Sequence, residues 1–172
     1  MLHLSSGWNG FHTIIVHVPI VLLLVAPFFV IVGIGFSAST RKYLFAWALM
    51  LMVLGTMMTF VAITTGKAAM RVVDSTPAVK VALEEHRALA ETTAELFSML
   101  TLGFAALLFI PRLLERELES RVNTALLAIY LIFYATGALF LVHTALQGGH
   151  LAHKLEAKAT ASYLLSGRES AR

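Results

Sequence analysis

Four runs of about twenty apolar residues divide the chain: Thr13 to Phe36, Tyr43 to Thr65, Thr92 to Ile110 and Val122 to Leu146. A spanning helix needs about 20 such residues, because each adds about 1.5 Å and the hydrocarbon of a bilayer is about 30 Å thick. The polar stretches between them supply the breaks. "SASTRK" parts the first two runs and "PRLLERELESR" the last two, and both are short enough to force antiparallel neighbours. Between the second and third lies "GKAAMRVVDSTPAVKVALEEHRALAE", too polar to span. There Pro77 suits the first turn of a helix, with Ser75 or Thr76 as its cap, so a short surface helix is expected from Pro77 toward His86, either separate or merging into the third span. "QGGH" is expected to break the fourth helix and leave a loose or interfacial tail at 159–172. The pattern predicts an all-α, integral membrane antiparallel four-helix bundle over residues 1–158, with a short interfacial helix between spans 2 and 3.

Composition agrees with that reading and removes other classes. The chain has 172 residues, 58% hydrophobic and only 13% charged, against about 25% charged in a soluble domain. No cysteine is present, which excludes disulfides, thiolate-bound zinc, iron–sulfur clusters and thioether-linked haem. The net charge of +3 is spread over several loops, so no basic stripe for nucleic acid exists. The start, "MLHLSSGWNGFH", lacks a basic region and a cleavage motif, and is expected to be retained, with the first helix as its own insertion signal. Arg41 and Lys42 in one short loop, and Arg112, Arg116 and Arg121 in the other, place both short loops in the cytoplasm by the positive-inside rule. The expected location is the inner membrane of a bacterium, with the histidine-bearing side extracytoplasmic.

All seven histidines then fall on one side of the bilayer. His3, His12 and His17 stand at the entry of the first span, His86 before the third, and His143, His150 and His153 at the exit of the fourth. His17 lies about 7.5 Å deeper than His12 and about 140° round a helix from it, so the two face different directions. His17 and His143 come at similar depth and form the leading pair of ligands, His17 facing inward to a partner on another helix. His86 and His150 join them nearer the surface, with His12 behind them or on a second group. For His3 and His153 simple solvation is the better account.

Imidazole nitrogens in a bundle core suit haem iron, copper or zinc. Zinc would call for close-spaced ligands or nearby carboxylates, and the spans contain no Asp. Copper would be favoured by methionine beside histidine, but Met57 and Met58 lie in the interior of the second span. A b-type haem fits better: two histidines from different helices clamp it, small residues such as Gly66, Gly137 and Ala138 make room, and Lys67, Arg71 and Arg87 are placed to pair with propionates. Phe11, Phe60, Phe97, Phe140 and Tyr134 are candidates to pack on porphyrin or quinone, though scattered aromatics more often serve bundle packing. Pro19 is expected in a first helical turn or at a kink.

"HTIIVHVPIVLL" closely resembles the opening motif of a bacterial four-helix membrane family known as domain of unknown function 2231. "TGKAA", the lone His86 and "GGHLAH" resemble its later landmarks, which marks His12, His17, Pro19, Gly66, His86, Gly148, Gly149 and His150. The resemblance implies membrane partners of respiratory or redox modules. The expected function is a b-type cytochrome-like subunit with one or two haems. It would pass electrons between the quinone pool, quinone being a candidate substrate, and a periplasmic c-type cytochrome or larger membrane redox complex. Such a protein is an electron-transfer subunit more than a stand-alone enzyme. The alternatives are a non-catalytic anchor or assembly subunit, or a membrane protein whose histidines bind a metal ion. A metal transporter is disfavoured, because no chain of polar groups is expected to continue toward the cytoplasmic side.

Overall fold

The computed structural model describes residues 5–70, 76–115 and 119–169, with the side chains of 12, 14–70, 76–115 and 119–154. Four helices follow in order: α1 (Ser5–Ile34), α2 (Ala38–Met70), α3 (Pro77–Leu113) and α4 (Ser120–Glu169). Each is long and apolar enough to cross a membrane. They pack as a ring, α1 on α2, α2 on α3, α3 on α4 and α4 back on α1, so that α1 and α3 oppose each other across the middle. All four carry their largest exposed apolar side chains outward, among them Ile14, Phe28, Met99, Ile132 and Leu139. An outer surface of this kind is stable only in lipid, and the expected membrane bundle is what the chain forms.

The inward face of every helix follows alternating steps of three and four residues. On α1 the positions are His12, Val16, Pro19, Leu23, Ala26 and Val30; on α2, Ala48, Met52, Gly55, Thr59, Ala62 and Gly66. On α3 they are Leu83, His86, Ala90, Thr93, Phe97 and Leu100, and on α4 Tyr130, Tyr134, Gly137, Leu141, Thr144 and Gly148. All are buried or half-buried. A period of 3.5 is the left-handed seam that lets nearly antiparallel helices stay in contact over their full length.

The structure differs from the sequence expectation at three places. No separate interfacial helix appears among the described residues between α2 and α3: the helix opening at Pro77 runs without interruption through the third span. Thr76 holds the N-cap position, but its backbone carbonyl receives the Val79 and Lys80 N–H groups while its side chain makes no cap bond; Ser75 lies outside the described residues. "QGGH" does not end α4, which continues to Glu169. A glycine inside a helix costs about 1 kcal/mol relative to alanine, and packing against α3 offsets it here. Pro19, expected in a first helical turn or at a kink, stands buried in mid-α1, not in the first turn.

The tight link from α1 to α2, Gly35 to Ser37, is locked by Arg41. Its guanidinium reaches back to donate to the carbonyls of Gly33 at 3.2 Å, Ile34 at 3.4 Å and Phe36 at 3.1 Å. α1 has no basic residue in its own last turn, so the next helix supplies the cation its terminal carbonyls favour.

The buried threonines and tyrosines of the core are all hydrogen-bonded. Thr56 meets Thr101 at 3.0 Å and Thr93 meets Thr144 at 3.1 Å, joining α2 to α3 and α3 to α4. The Tyr130 hydroxyl donates to the Leu100 carbonyl at 3.1 Å. The Tyr134 hydroxyl donates to the Leu23 carbonyl at 2.8 Å. That carbonyl would normally receive the N–H of residue 27, which is proline and has none. Tyr134 therefore satisfies the backbone acceptor that Pro27 orphans.

Removing that hydroxyl in Tyr134→Phe leaves a buried carbonyl unpaired and is expected to lower unfolding free energy in detergent by about 1–3 kcal/mol. Pro27→Ala, which restores an N–H in register, recovers most of the loss in the double variant. Equal instability of Tyr134→Phe with and without Pro27→Ala would assign the loss to packing instead.

Candidate functional site at the histidine end

Two of the histidines occupy the inward face, and both do so at the same end of the bundle. His12 on α1 and His86 on α3 fall on the 3.5-residue seam, on helices that oppose each other. They stand at the same end of opposing helices, and His86 is among the causes that lower the His12 pKa, after burial. Both rings are half-buried.

A glycine backs each ring. A Cβ on Gly66 of α2 would stand 3.1 Å from His12 Cε1, and one on Gly148 of α4 would stand 2.8 Å from His86 Cε1 and 3.1 Å from its Nε2. A side chain at position 148 would force the His86 ring to move, and one at position 66 would press His12 by a few tenths of an ångström. The two hairpins thus repeat one device: a histidine on the first helix seated on a glycine of the second.

Hydrogen bonding distinguishes the two. His12 Nδ1 lies 3.0 Å from Thr65 Oγ1, and that hydroxyl donates its single hydrogen to the Ala62 carbonyl at 3.0 Å. Thr65 is then the acceptor, His12 carries its proton on Nδ1, and Nε2 keeps a free lone pair. In contrast, His86 Nδ1 is buried without a hydrogen-bond partner. An unpaired buried nitrogen costs free energy unless something else engages it.

Charged side chains rim this layer. Glu91 accepts from Lys67 Nζ at 3.0 Å and from Arg87 Nε at 3.1 Å, tying α2 to α3 just after the residues Gly66 and His86, and Arg87 also reaches Glu84 at 3.5 Å. Lys67 and Arg87, expected to pair with propionates, here pair with glutamates; Arg71 lies outside the described residues. All three pairs are partly solvent-exposed and are modest stabilisers.

The other expected ligands go elsewhere. His17 stands one position past the seam residue Val16 and is exposed, as are His143, one position before Thr144, and His150, two past Gly148. The expectation that His17 faces inward is therefore replaced: a shift of one residue turns a side chain about 100° round the helix, enough to carry it off a narrow seam. The helical continuation past Gly148 likewise keeps His150 and His153 on the exposed surface. Among the described residues, no three His, Asp or Glu side chains gather as a site for a bare metal ion. His12, ranked last by depth, belongs to the inward pair, and the 3.5-residue seam was the signal that identifies it.

His12 precedes the span Ile14–Ile34, and burial, then the nearby His86, hold its imidazole below the ordinary value of 6.5. A histidine whose folded pKa is depressed contributes its full stability above that value and loses it as pH falls, since the unfolded chain takes up the proton first. The thermal midpoint in detergent is expected to drop as pH falls below 6.5, and His12→Gln to flatten that drop. An unchanged slope in His12→Gln would show that other groups govern the acid limb.

No curated protein and no solved structure matches the chain. One family model does, over residues 9–161, which takes in all four spans and both histidine–glycine contacts. The chain belongs to DUF2231, a family of predicted membrane proteins.

Proposed function

We propose that this protein is a b-type cytochrome-like membrane subunit in which His12 and His86 would hold one haem through their ring nitrogens. The observation that supports this best is the pairing of two seam histidines, on opposing helices, at one end of the bundle. A bare metal ion needs three or four protein ligands, and no such group gathers among the described residues. Porphyrin supplies four nitrogens itself and asks the protein for only two.

The residues present fit such a group. Thr65 holds His12 in the tautomer that leaves Nε2 unprotonated, and the buried Nδ1 of His86 has no protein partner to displace. Gly66 and Gly148 give each ring its place and keep bulk from it. Lys67 and Arg87 stand beside the pair and are able to exchange Glu91 for a propionate. Bound haem would supply one-electron transfer at this end of the membrane.

The wider setting of the reading is the inner membrane of a bacterium, with the histidine end extracytoplasmic. The quinone pool lies on one side of the electron path and a periplasmic c-type cytochrome or larger redox complex on the other. Since both ligands sit at one surface, charge transfer across the bilayer is not part of the proposal.

Purified protein, reconstituted with haem b and reduced with dithionite, is expected to give a sharp α-band of low-spin haem. His12→Ala and His86→Ala should each abolish that band, while His17→Ala and His143→Ala keep it. The reverse pattern would return the ligands to the outer face of α1 and α4. A folded protein that stays colourless after reconstitution would reject the cytochrome reading in favour of an anchor or assembly subunit.

A further inference from the structure

At the end of the bundle opposite the histidines, α2 and α3 part to leave a groove of about 380 Å³ open to the outside. Its mouth is formed by Lys42, in the second turn of α2, and Arg112, in the last turn of α3. Below them the walls are wholly apolar: Ala46, Leu49 and Val53 from α2 face Phe109 from α3. No acid lines the groove, and neither Lys42 nor Arg112 pairs with a carboxylate among the described residues. Lys42 Nζ lies 4.9 Å from the Tyr43 ring centroid, a contact that leaves its charge uncompensated, and Arg41 is occupied in closing the α1 terminus.

From these features we infer that the groove binds a single anionic phospholipid, its phosphate held between Lys42 and Arg112 and one acyl chain laid along α2. The charge is complementary, since two cations face a site with no counter-charge of its own. α2 begins with no acidic residue in its first turn, so its positive dipole end also favours an anion there. The length is right: Lys42 to Val53 covers about 16 Å of helix, close to half of the roughly 30 Å hydrocarbon, which is the depth of one leaflet. Basic mouths over apolar interhelical grooves are a recurrent way of selecting acidic lipids. The site lies at the other end of the molecule from His12 and His86 and does not depend on the haem reading.

The test is native mass spectrometry of the full chain, released from nanodiscs that contain equal phosphatidylglycerol and phosphatidylcholine. One phosphatidylglycerol is expected to persist on the wild type through delipidation that strips phosphatidylcholine. Lys42→Gln with Arg112→Gln should reduce that retention by roughly thirtyfold, from the usual contribution of two surface cations. Ala46→Trp, which fills the groove and leaves both cations, should abolish it too. Equal retention of the two lipids by the wild type would overturn the site, and so would unchanged retention in the double variant. Loss on Lys42→Gln/Arg112→Gln but not on Ala46→Trp would reduce it to a surface charge effect and reject the groove. Circular dichroism of each variant confirms that the helices are kept.

Discussion

The bundle is governed by the requirement that no backbone carbonyl be left unpaired in hydrocarbon, and Pro27 is where the requirement bears hardest. Proline in mid-helix withdraws one N–H, and the orphaned acceptor on Leu23 faces the interior. Tyr134 answers it from α4 with a bond of 2.8 Å. That contact ties α4 to α1, the most sparsely packed pair of neighbours in the ring, at mid-membrane depth. It also anchors the aromatic cluster, because the Tyr134 ring meets Phe97 edge-on and leans on Tyr130, which stacks on Phe104. Once α4 is set in this way, Gly148 comes to lie against His86.

A rotation fixed at mid-membrane propagates to both ends through the 3.5-residue seam. On α3 the same face that presents Phe97 to Tyr134 presents His86, about three turns away, to Gly148. On α1 the face that offers the Leu23 carbonyl region to the core presents His12 to Gly66. The histidine layer is therefore a consequence of core packing, held by apolar contact and not by the exposed ion pairs that rim it. Those ion pairs, with Glu91 shared between Lys67 and Arg87, add a polar tie between α2 and α3 at the level where the apolar seam ends.

Much of this was legible in the sequence, for physical reasons that differ from part to part. The four spans were plain because twenty apolar residues have few other uses, and their antiparallel order followed from the shortness of "SASTRK" and of the link after Pro111. The end of α4 was misjudged because two adjacent glycines read as a break, whereas Gly148 is present for the close approach of the His86 ring. The inward orientation of His17 was misjudged because depth was used to rank the histidines, and depth says nothing about rotation. His17 and His143 are at similar depth yet both leave the seam by one residue. The interval of three and four residues that runs from Leu23 back to His12, and from Phe97 back to His86, carries the missing information.

The two hairpins are alike enough that their difference is informative. In each, a histidine of the first helix rests on a glycine of the second, and a second glycine eleven residues away, Gly55 or Gly137, admits leucine from the facing helix. They diverge at the residue before the histidine-bearing glycine. In the first hairpin it is Thr65, whose hydroxyl accepts from His12 Nδ1; in the second it is Gln147, which is exposed, and His86 Nδ1 is left unpaired. A structure that only needed to pack two imidazoles would satisfy both in the same way, since an unpaired buried nitrogen is a standing cost. One ring fixed by the protein and one ring left with a nitrogen to offer is the asymmetry on which the proposed haem site rests, with His12 as its positioned side and His86 as its receptive one.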